Sequence, residues 1–353
     1  MSDARYNVAV IGCGRIAREH VAGYEKNGDR FAIKAFVSRD RSRAADFVRQ
    51  YGTGTSYASL AEAASVEKLD AVDICLPPSK HCPLTVQAAE LGLHVLVEKP
   101  LAITCREVDE MIEAGRRNGT IIMSGQSRRF NGPLRKAKEL LDSGRIGKPL
   151  LATISYGMKV DLIVPWWGDA TITGPSNLMA NWGTHSLDEL FYLYGPPARI
   201  YAEGRDTGGP TAGIDLFSAV FGYESGFVAN MNWSYVSELA NGQAGKVGDL
   251  LPTNGIKSCM GTQGTLRYGQ NVGPTGVLLD GEPVPNDDTD VNQFHTMIKE
   301  FHAAITEQRP PETSAFRCRV VIEMAEAILE SCTTHQVVPV VGTSEENNSA
   351  FSQ

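Results

Sequence analysis

A glycine-rich turn near the start of the chain has residue types and a spacing that suit the binding of phosphate groups. The apolar run Val8–Ile11 leads directly into Gly12-Cys13-Gly14-Arg15-Ile16-Ala17 and then into a helical pattern. In this G-x-G-x-x-A arrangement, the first glycine permits a tight turn, the second lets the backbone approach a pyrophosphate, and the alanine lets the helix pack closely on the strand. The free amides of the first helical turn then bind the anion. We therefore predict a dinucleotide site with contacts from Gly12, Gly14, Arg15 and Ile16.

The residues after the next predicted strand bear on which dinucleotide binds. That strand, Ala32–Val37, is followed by Ser38 and by a turn that contains Arg39 and Arg43. A carboxylate at this place hydrogen-bonds a ribose 2′-hydroxyl, whereas a serine hydroxyl and guanidinium groups suit a 2′-phosphate. We expect NADP(H) to be favoured over NAD(H), with contacts from Ser38, Arg39 and Arg43. The alternative is that the arginines are a solvated helix start and that Asp40 contacts a ribose.

A lysine stands at the end of a third apolar run. His94–Val97 continues into Glu98-Lys99-Pro100. In open parallel sheets, ligands bind in the crevice beyond the carboxyl ends of the strands. Lys99 is therefore placed to contact both a nucleotide and a second ligand.

The segments that carry these residues alternate in the order expected of βαβ units. Five short apolar runs read as strands, with helical patterns between them: Val8–Ile11, Ala32–Val37, Ala71–Cys75, His94–Val97 and Thr120–Met123. They predict a doubly wound parallel α/β sheet of the Rossmann type. We assign residues 1–129 to this dinucleotide-binding domain.

The pattern changes after about Arg129. A polar helix over Leu134–Asp142 is followed by strand-like runs without regular helices between most of them. These strands are Leu150–Tyr156, Ile200–Glu203, Asp215–Phe221, Gly226–Trp233, Lys257–Gly261 and Thr265–Tyr268, and the later helices are Trp182–Tyr194, Val291–Thr306 and Ser314–Thr334. They predict an α+β domain over 130–340, with a mostly antiparallel sheet covered by helices on one face. We expect this domain to bind substrate and, through its other face, to form a homodimer or homotetramer; 341–353 reads as a polar tail.

Composition limits the class of protein. The 353 residues are long enough for two domains, and 42% hydrophobic and 21% charged residues are globular values. A formal charge of −8 argues against nucleic acid as a partner. No run approaches the ~18 apolar residues of a membrane span, and the start of the chain lacks a secretory pattern, so we expect a cytoplasmic protein. Seven cysteines without paired C-x-x-C spacing predict reduced thiols, and we expect no metal site.

Ala88–Leu101, which reads AAELGLHVLVEKPL, together with the glycine motif resembles the glucose–fructose oxidoreductase / inositol dehydrogenase (Gfo/Idh/MocA) family. The resemblance extends to four further segments and so covers nearly the whole chain: Leu76–His81, Ser127–Phe130, Gly144–Pro149 and Gly261–Thr265. It implies an NAD(P)-dependent dehydrogenase or reductase that moves a hydride between nicotinamide and a secondary alcohol or ketone of a sugar, cyclitol or nucleotide-sugar. No metal is needed for that chemistry.

The resemblance also implies roles for individual residues. In the family, the lysine contacts the substrate hydroxyl and the nicotinamide ribose, and an aspartate and a histidine four residues apart complete the site. The matching segment, Asn181-Trp182-Gly183-Thr184-His185, makes His185 the general acid–base candidate beside Lys99. Four residues make one helical turn, so we expect both side chains of the pair on one face.

Asn181 departs from the family, which has an aspartate there. An amide can orient an imidazole but cannot neutralise an imidazolium. Three consequences stay open: His185 is less basic, proton transfer shifts to Lys99, or the substrate contact needs an amide.

Further contacts are expected around both ligands. For the cofactor they come from Leu76, Pro77, His81, Glu98 and Gln126. The family commonly has Thr-Pro-Asn where this chain has Leu-Pro-Pro, which leaves the contacts of that loop open. Lys159, Trp166 and Trp167 precede Asn181 and offer polar and aromatic groups for a sugar face; core or dimer packing is the alternative for the two tryptophans.

Two other functions fit the same sequence. One is a nucleotide-sensing co-repressor or binding protein with a decayed site, for which Asn181 is the argument. The other is a glycosidase that retains NAD for a transient oxidation. The first is disfavoured because Lys99 and His185 are both present, and the second stays open as an alternative.

Overall fold

A computed structural model of the chain describes residues 5–158, 164–236, 255–269, 272–286 and 292–342. Among these, the chain divides into two compact units. The first comprises 5–127 and 292–319, and the second comprises the described parts of 128–286 together with 320–342. Residues 292–319, which the sequence-based division places in 130–340, thus belong to the first unit.

A six-stranded parallel sheet forms the centre of the first unit. Its strands are β1 (Tyr6–Ile11), β2 (Phe31–Val37), β3 (Thr55–Tyr57), β4 (Ala71–Ile74), β5 (His94–Glu98) and β6 (Ile122–Gly125). They lie in the order β3-β2-β1-β4-β5-β6, and every neighbouring pair is parallel. This is the Rossmann order, whose direction reverses between β1 and β4, where such sheets bind ligands. The predicted parallel sheet is confirmed; the short β3 was not among the predicted strands.

A nine-stranded sheet forms the centre of the second unit. Its strands are β7 (Pro149–Gly157), β8 (Arg199–Arg205), β9 (Leu216–Gly222), β10 (Val228–Ser234), β11 (Gly255–Gly261), β12 (Thr265–Tyr268), β13 (Val277–Leu279), β14 (Glu282–Pro283) and β15 (Val338–Pro339). Their order is β14-β13-β12-β11-β7-β10-β9-β8-β15. The pair β7–β10 is parallel and the other pairs are antiparallel, which confirms the predicted mostly antiparallel sheet.

Ten α-helices occur among the described residues. They are α1 (Arg15–Lys26), α2 (Arg41–Tyr51), α3 (Leu60–Val66), α4 (His81–Glu90), α5 (Cys105–Asn118), α6 (Gly132–Asp142), α7 (Ala170–Thr173), α8 (Thr184–Tyr194), α9 (Gln293–Glu307) and α10 (Ala315–Thr334). Short 3-10 turns occur at Pro78–Lys80, Ser127–Phe130 and Pro165–Gly168, and a π-helical turn at Met179–Gly183. None of the described helices is long and apolar enough to cross a bilayer.

Helix α9 packs against α1 in the first unit although more than 260 residues separate them in sequence. The side-chain amide of Asn27 donates to the carbonyl oxygen of His295 at 3.1 Å. A Cβ on Gly23 would lie 3.1 Å from the carbonyl oxygen of Phe294, so the two helices meet closely at this glycine. In β6, the Ser124 backbone amide donates to the carbonyl oxygen of Thr313 at 2.8 Å, and the Thr313 hydroxyl donates to the carbonyl oxygen of Ser124 at 2.7 Å. These bonds tie the returning segment to the edge strand of the first sheet.

The two faces of the second sheet differ. On one face, alternate residues of the strands are buried in a single apolar cluster with side chains of α6, α8 and α10. On the other face, apolar side chains are exposed to solvent: Leu150, Tyr201, Leu216, Val220, Val228, Ile256 and Met260. The helices therefore cover one face, as predicted.

Candidate active site

The glycine turn lies between β1 and α1, as the sequence predicts. Gly12 has φ +99°, and a Cβ there would lie 2.4 Å from the carbonyl oxygen of Cys75. Around Gly14 no atom lies within 4 Å of an added Cβ, and Gly14 begins α1 without a side-chain cap. The first turn of α1 contains no acidic residue. Exposed helix amides beside open space fit an anionic phosphate.

The arginine turn lies at the carboxyl end of β2. Asp40 caps α2: its carboxylate accepts from the backbone amide of Ser42 at 3.1 Å and from its hydroxyl at 2.6 Å, and it lies 3.5 Å from Arg43. These contacts hold the pKa of Asp40 below its usual value, with the Ser42 hydroxyl as the main cause. Arg39 is exposed and forms no ion pair within the described ranges. The guanidinium of Arg39 and the hydroxyl of Ser38 are thus the groups at this strand end that local contacts leave available.

His81 connects the loops that follow two neighbouring strands. Its ring nitrogens lie 2.7 Å from the carbonyl oxygen of Leu76, after β4, and 2.7 Å from that of Pro100, after β5. His81 is fully buried, and burial lowers its pKa. The Lys99–Pro100 peptide bond is cis. The structure therefore brings Leu76, His81 and Lys99 to the carboxyl ends of the strands of the first sheet, where the glycine turn also lies.

Behind Lys99 lies a buried polar network that the sequence did not reveal. The His20 ring lies between two carboxylates, with Nδ1 2.8 Å from Asp73 Oδ2 and Nε2 3.0 Å from Glu98 Oε1. The other oxygen of Glu98 accepts from the backbone amide of Lys99 at 3.1 Å. His20 and Asp73 stand 53 residues apart and His20 and Glu98 stand 78 apart, so no short spacing announces them.

Gln126, after β6, is buried, and its side-chain oxygen has no hydrogen-bond partner among the described residues. An unsatisfied buried acceptor is a group that a ligand can engage. His20, Asp73 and Cys75 are the only described trio of potential metal-binding side chains. Their polar atoms hydrogen-bond one another, with the Cys75 thiol 3.5 Å from Asp73, so we assign them to that network and not to an ion.

In the second unit, His185 lies in the first turn of α8, and three buried ion pairs hold this helix. Arg129 donates to both carboxylate oxygens of Asp188 at 2.6 to 3.0 Å, and Arg128 lies 2.8 Å from Glu189. Lys257 contacts the second oxygen of Glu189. Burial alone would raise the pKa of Glu189, but the two cations outweigh it and hold that pKa below its usual value.

Asn181 lies one turn before α8, in the π-helical turn. The predicted regular helix from Trp182 is wrong in this detail, because residues 179–183 are wound more loosely than an α-helix. Turns of this kind occur frequently at functional sites. The Asn181 side chain lies beside the hydroxyl of Tyr235, whose pKa burial raises well above its usual value.

An aromatic stack supports His185. The Trp182 ring lies 6.1 Å from the His185 ring and stacks on Trp233 at 6.5 Å, and the Arg128 guanidinium lies over the Trp182 ring at 5.5 Å. Trp233 donates from Nε1 to the hydroxyl of Ser186 at 3.0 Å. The histidine is thus held by packed rings on a fixed helix.

Polar atoms along the same segment remain available to a ligand. Among the described residues, no hydrogen-bond partner is found for the side-chain nitrogen and oxygen of Asn177, for Trp182 Nε1 or for the Thr184 hydroxyl, and all four atoms are buried. Asn177 and Thr184 were not among the predicted site residues, because no recognisable spacing distinguishes them from the polar residues around them.

Three further residues were predicted to contact the substrate, and the structure describes two of them. Trp167 is buried in the apolar cluster of the second unit, and Trp166 is partly buried against that cluster. Their positions agree with the alternative of core packing. Lys159 lies outside the described residues.

Comparison with known proteins identifies both parts of the chain. Residues 6–126 match the family model for the oxidoreductase family with an NAD-binding Rossmann fold, GFO_IDH_MocA, and residues 134–266 match its C-terminal domain model. D-apiose dehydrogenase of Paraburkholderia graminis is 27% identical over 74% of this chain and 67% of its own length. 1,5-Anhydro-D-fructose reductase of Ensifer adhaerens is 26% identical over 86% of this chain and 90% of its own length.

A solved structure of levoglucosan dehydrogenase in complex with NADH has the same fold. It superposes with a TM-score of 0.83 at 19% identity, over 96% of this chain and all (100%) of that one.

Proposed function

The chain belongs to the Gfo/Idh/MocA oxidoreductase family and is an NAD(P)-dependent oxidoreductase, and from this premise we propose that it is an NADP(H)-preferring dehydrogenase or reductase. Its substrate is a secondary alcohol or ketone of a sugar, cyclitol or nucleotide-sugar. The proposal rests on one observation: the open glycine turn and Lys99 both lie at the carboxyl ends of strands of the first sheet.

The described residues fit a nicotinamide dinucleotide. The amides at the start of α1, beside Gly14, would hold its pyrophosphate, and the unsatisfied oxygen of Gln126 is available to a polar group of the ligand. When bound, the nicotinamide ring supplies the hydride donor or acceptor at its carbon 4.

Preference for NADP(H) is supported by the contacts that the Asp40 carboxylate already makes and by the exposed guanidinium of Arg39. One oxygen of the Asp40 carboxylate accepts two hydrogen bonds from Ser42 and the other lies 3.5 Å from Arg43, so this carboxylate is directed toward the start of α2. Ser38 and Arg39 are the donors that remain at this strand end, and guanidinium groups suit a 2′-phosphate. The NADH complex of levoglucosan dehydrogenase is a property of that protein, so the preference needs a direct measurement.

Proton transfer is assigned to the second unit. We propose that His185 takes the substrate hydroxyl proton during oxidation and returns it during reduction. By resemblance to the family, Lys99 would contact the substrate hydroxyl and the nicotinamide ribose. Asn181 orients the neighbouring groups through its amide, and its neutral side chain leaves the imidazolium of His185 without a carboxylate there.

The carbohydrate class is supported by the relatives, which are named for D-apiose and 1,5-anhydro-D-fructose. The buried and unpartnered groups of Asn177, Trp182 and Thr184 also suit a polyhydroxylated ligand, because each is a polar atom that needs a partner.

The test is turnover of purified protein with both nucleotides. NADP⁺ and NAD⁺ are offered with aldoses, cyclitols and nucleotide-sugars, and NADPH and NADH with ketosugars, while absorbance of the reduced nicotinamide is followed. Turnover that is faster with NADP(H) supports the proposal. Nucleotide binding without turnover on any member of the panel contradicts it and favours a sensor; nucleotide that survives purification, with no net absorbance change while a glycoside is cleaved, favours a glycosidase.

We also propose that the open face of the second sheet binds a second copy of the chain. Strand register places Met260, Leu151 and Val228 in one row and Val220 beside Tyr201 in the next. Contiguous exposed apolar surface of this kind is uncommon on monomers. Light scattering should give a dimer or tetramer that Val220→Lys dissociates, whereas Val66→Lys, at an exposed site of the first unit, leaves the mass unchanged. A monomeric wild-type chain would refute this assembly.

A cytoplasmic location is part of the proposal. No disulfide bond joins any of the seven cysteines, all of which lie within the described residues, and reduced thiols are typical of that compartment. Cell fractionation, with enzyme activity as the readout, tests it.

A further inference from the structure

The buried network behind Lys99 consists of a histidine between two acids. His20 is fully buried, as is Asp73, and Glu98 is 5% exposed. Nδ1 and Nε2 of the ring each lie within 3.0 Å of a carboxylate oxygen. An ionised carboxylate only accepts hydrogen bonds, so both ring nitrogens must donate, and the ring is an imidazolium.

The groups around the ring agree with that charge. Besides the two carboxylates, the Cys75 thiol donates to Asp73 at 3.5 Å, the buried Tyr24 hydroxyl lies close to the same carboxylate, and the Phe294 ring of α9 packs 5.2 Å from His20. Burial by itself would lower the pKa of His20, but the Asp73 carboxylate outweighs it and raises that pKa well above the usual value. The pKa of Glu98 lies below its usual value because the hydrogen bond and charge of His20 outweigh its burial.

Glu98 connects the His20 ring to the backbone of Lys99. Its second oxygen accepts the Lys99 backbone amide at 3.1 Å. Gly125 of β6 also lies close to Glu98, since an added Cβ would be 3.1 Å from the Glu98 Cα and 3.2 Å from Oε1. The Glu98 carboxylate is therefore packed against β6 and hydrogen-bonded to both the His20 ring and the Lys99 amide.

We propose that His20 is a positioning residue for Lys99. As an imidazolium held by Asp73, it orients the Glu98 side chain, and the Glu98 carboxylate fixes the backbone of Lys99 at the carboxyl end of β5. The inference rests on the proposed function for the role of Lys99 in turnover. The hydrogen-bonded chain from His20 to Lys99 is a property of the first unit and can be tested without any substrate.

The first test measures the protonation of His20 by NMR of protein labelled with ¹⁵N at its seven histidines. Both ring nitrogens of His20 should stay protonated from about pH 6 to about pH 9, well beyond the titration range of an ordinary histidine. In Glu98→Gln, the amide donates to Nε2, so His20 should become neutral, which also assigns its signals. A wild-type ring that is neutral at pH 7 overturns the proposal.

The second test follows hydrogen exchange of the Lys99 amide. Glu98→Ala removes its acceptor, and exchange should become about tenfold faster or more, because the amide loses its protecting bond. Glu98→Gln keeps an acceptor oxygen and should keep the protection. Equal exchange in wild type and Glu98→Ala refutes the link between Glu98 and Lys99, whatever the activity of the protein.

The third test is kinetic. His20→Gln and Glu98→Ala should lower kcat about 10- to 100-fold, the usual effect of removing a supporting partner. For His20→Gln, the nucleotide dissociation constant should change less than about threefold, and Glu98→Gln should lower kcat less than Glu98→Ala does, because it keeps an acceptor for the Lys99 amide. The control is His94→Gln, at the amino end of the same strand, which should keep full kcat.

The results of these tests distinguish a failure of the positioning role of His20 from a failure of the proposed function. Loss of folded protein without loss of kcat per folded molecule means that the network is structural only and overturns the proposal. If the wild-type chain turns over no substrate, the proposed function fails, while the His20 signals and Lys99 exchange still decide the positioning chain.

Discussion

A side-chain carbon on Gly12 would lie 2.4 Å from the carbonyl oxygen of Cys75, so the turn after β1 accepts no residue other than glycine. The φ of +99° adds strain for any residue with a Cβ. Gly14, two residues later, is different, because no atom lies within 4 Å of an added Cβ. One glycine is required by the protein itself, and the other leaves space that a ligand can use.

The two glycines should therefore respond differently to alanine. We expect Gly12→Ala to destabilise the chain by about 2 kcal/mol or more, because strain and a backbone clash combine. Gly14→Ala should change stability by less than about 0.5 kcal/mol yet weaken nucleotide binding about tenfold or more, since the methyl group occupies the approach to the pyrophosphate. Guanidinium unfolding and nucleotide titration measure both, and full nucleotide affinity in Gly14→Ala would remove the pyrophosphate from this place.

The arginine turn should select the nucleotide. The double change Arg39→Ala with Arg43→Ala should weaken NADP⁺ binding by about 1 to 3 kcal/mol and NAD⁺ binding much less, because only NADP⁺ carries a phosphate for the guanidinium groups. Arg49→Ala, further along α2 and exposed, is the matched control and should change neither. Equal losses for both nucleotides would refute the cofactor assignment.

Lys99 should matter for chemistry more than for nucleotide affinity. Lys99→Ala is expected to abolish measurable turnover while the nucleotide dissociation constant stays within about tenfold. The exposed Lys68 provides a control that removes the same charge from the same unit. A Lys99→Ala protein with wild-type kcat would exclude the lysine from the mechanism.

Asn181 sets the charge near His185. Asn181→Asp places a carboxylate there, which stabilises the imidazolium and raises the pKa that governs proton transfer. The acidic limb of the pH profile of kcat/KM should therefore move to higher pH. Asn118→Asp, at an exposed helix end, introduces the same charge elsewhere and should leave the profile in place; an identical profile for both variants would count against the role of residue 181.

Glu189 should dominate the stability of the second unit. Glu189→Ala leaves Arg128 and Lys257 buried without their carboxylate and should cost about 3 to 5 kcal/mol in the free energy of unfolding. Since the folded pKa of Glu189 is below its unfolded value, its contribution is complete above about pH 4.3 and is lost as pH falls through the folded pKa. Unfolding of wild type and Glu189→Gln should thus converge at acid pH.

Glu330, exposed on α10, is the control for that experiment and should change stability by less than about 0.5 kcal/mol when replaced by alanine. A Glu189→Ala protein as stable as Glu330→Ala would show that the buried ion pairs contribute nothing net.

The strands of the first sheet could be predicted because they are buried on both faces and therefore read as apolar runs. β5 was predicted as His94–Val97 and begins and ends within one residue of that range. β3 was not predicted: it has three residues, lies at the sheet edge, and its first residue, Thr55, is exposed, so no apolar run marks it. The sheet edge is thus where sequence patterns are weakest.

The candidate site could be predicted only where a motif is continuous in sequence. The glycine turn and Glu98-Lys99-Pro100 are short segments, and both lie at the predicted strand ends. His20, in α1, was missed because its partners come from β4 and β5, far away in sequence. Arg128 and Glu189 were missed for the same reason, since 61 residues separate them and neither stands in a pattern that needs the other. The π-helical turn at Asn181 also lacks a sequence marker, because its residues would fit an α-helix.

The close contact between α1 and α9 bears on the order in which the protein can fold during synthesis. The amino-terminal strands and helices leave the ribosome first, but the surface of α1 at Gly23 and Asn27 is covered by residues that follow only after position 292. The first unit therefore completes its structure after the intervening chain has been made. A protein cut at residue 129 would expose an apolar helix face, so the nucleotide-binding unit is best obtained by deleting the intervening segment and keeping the returning helix.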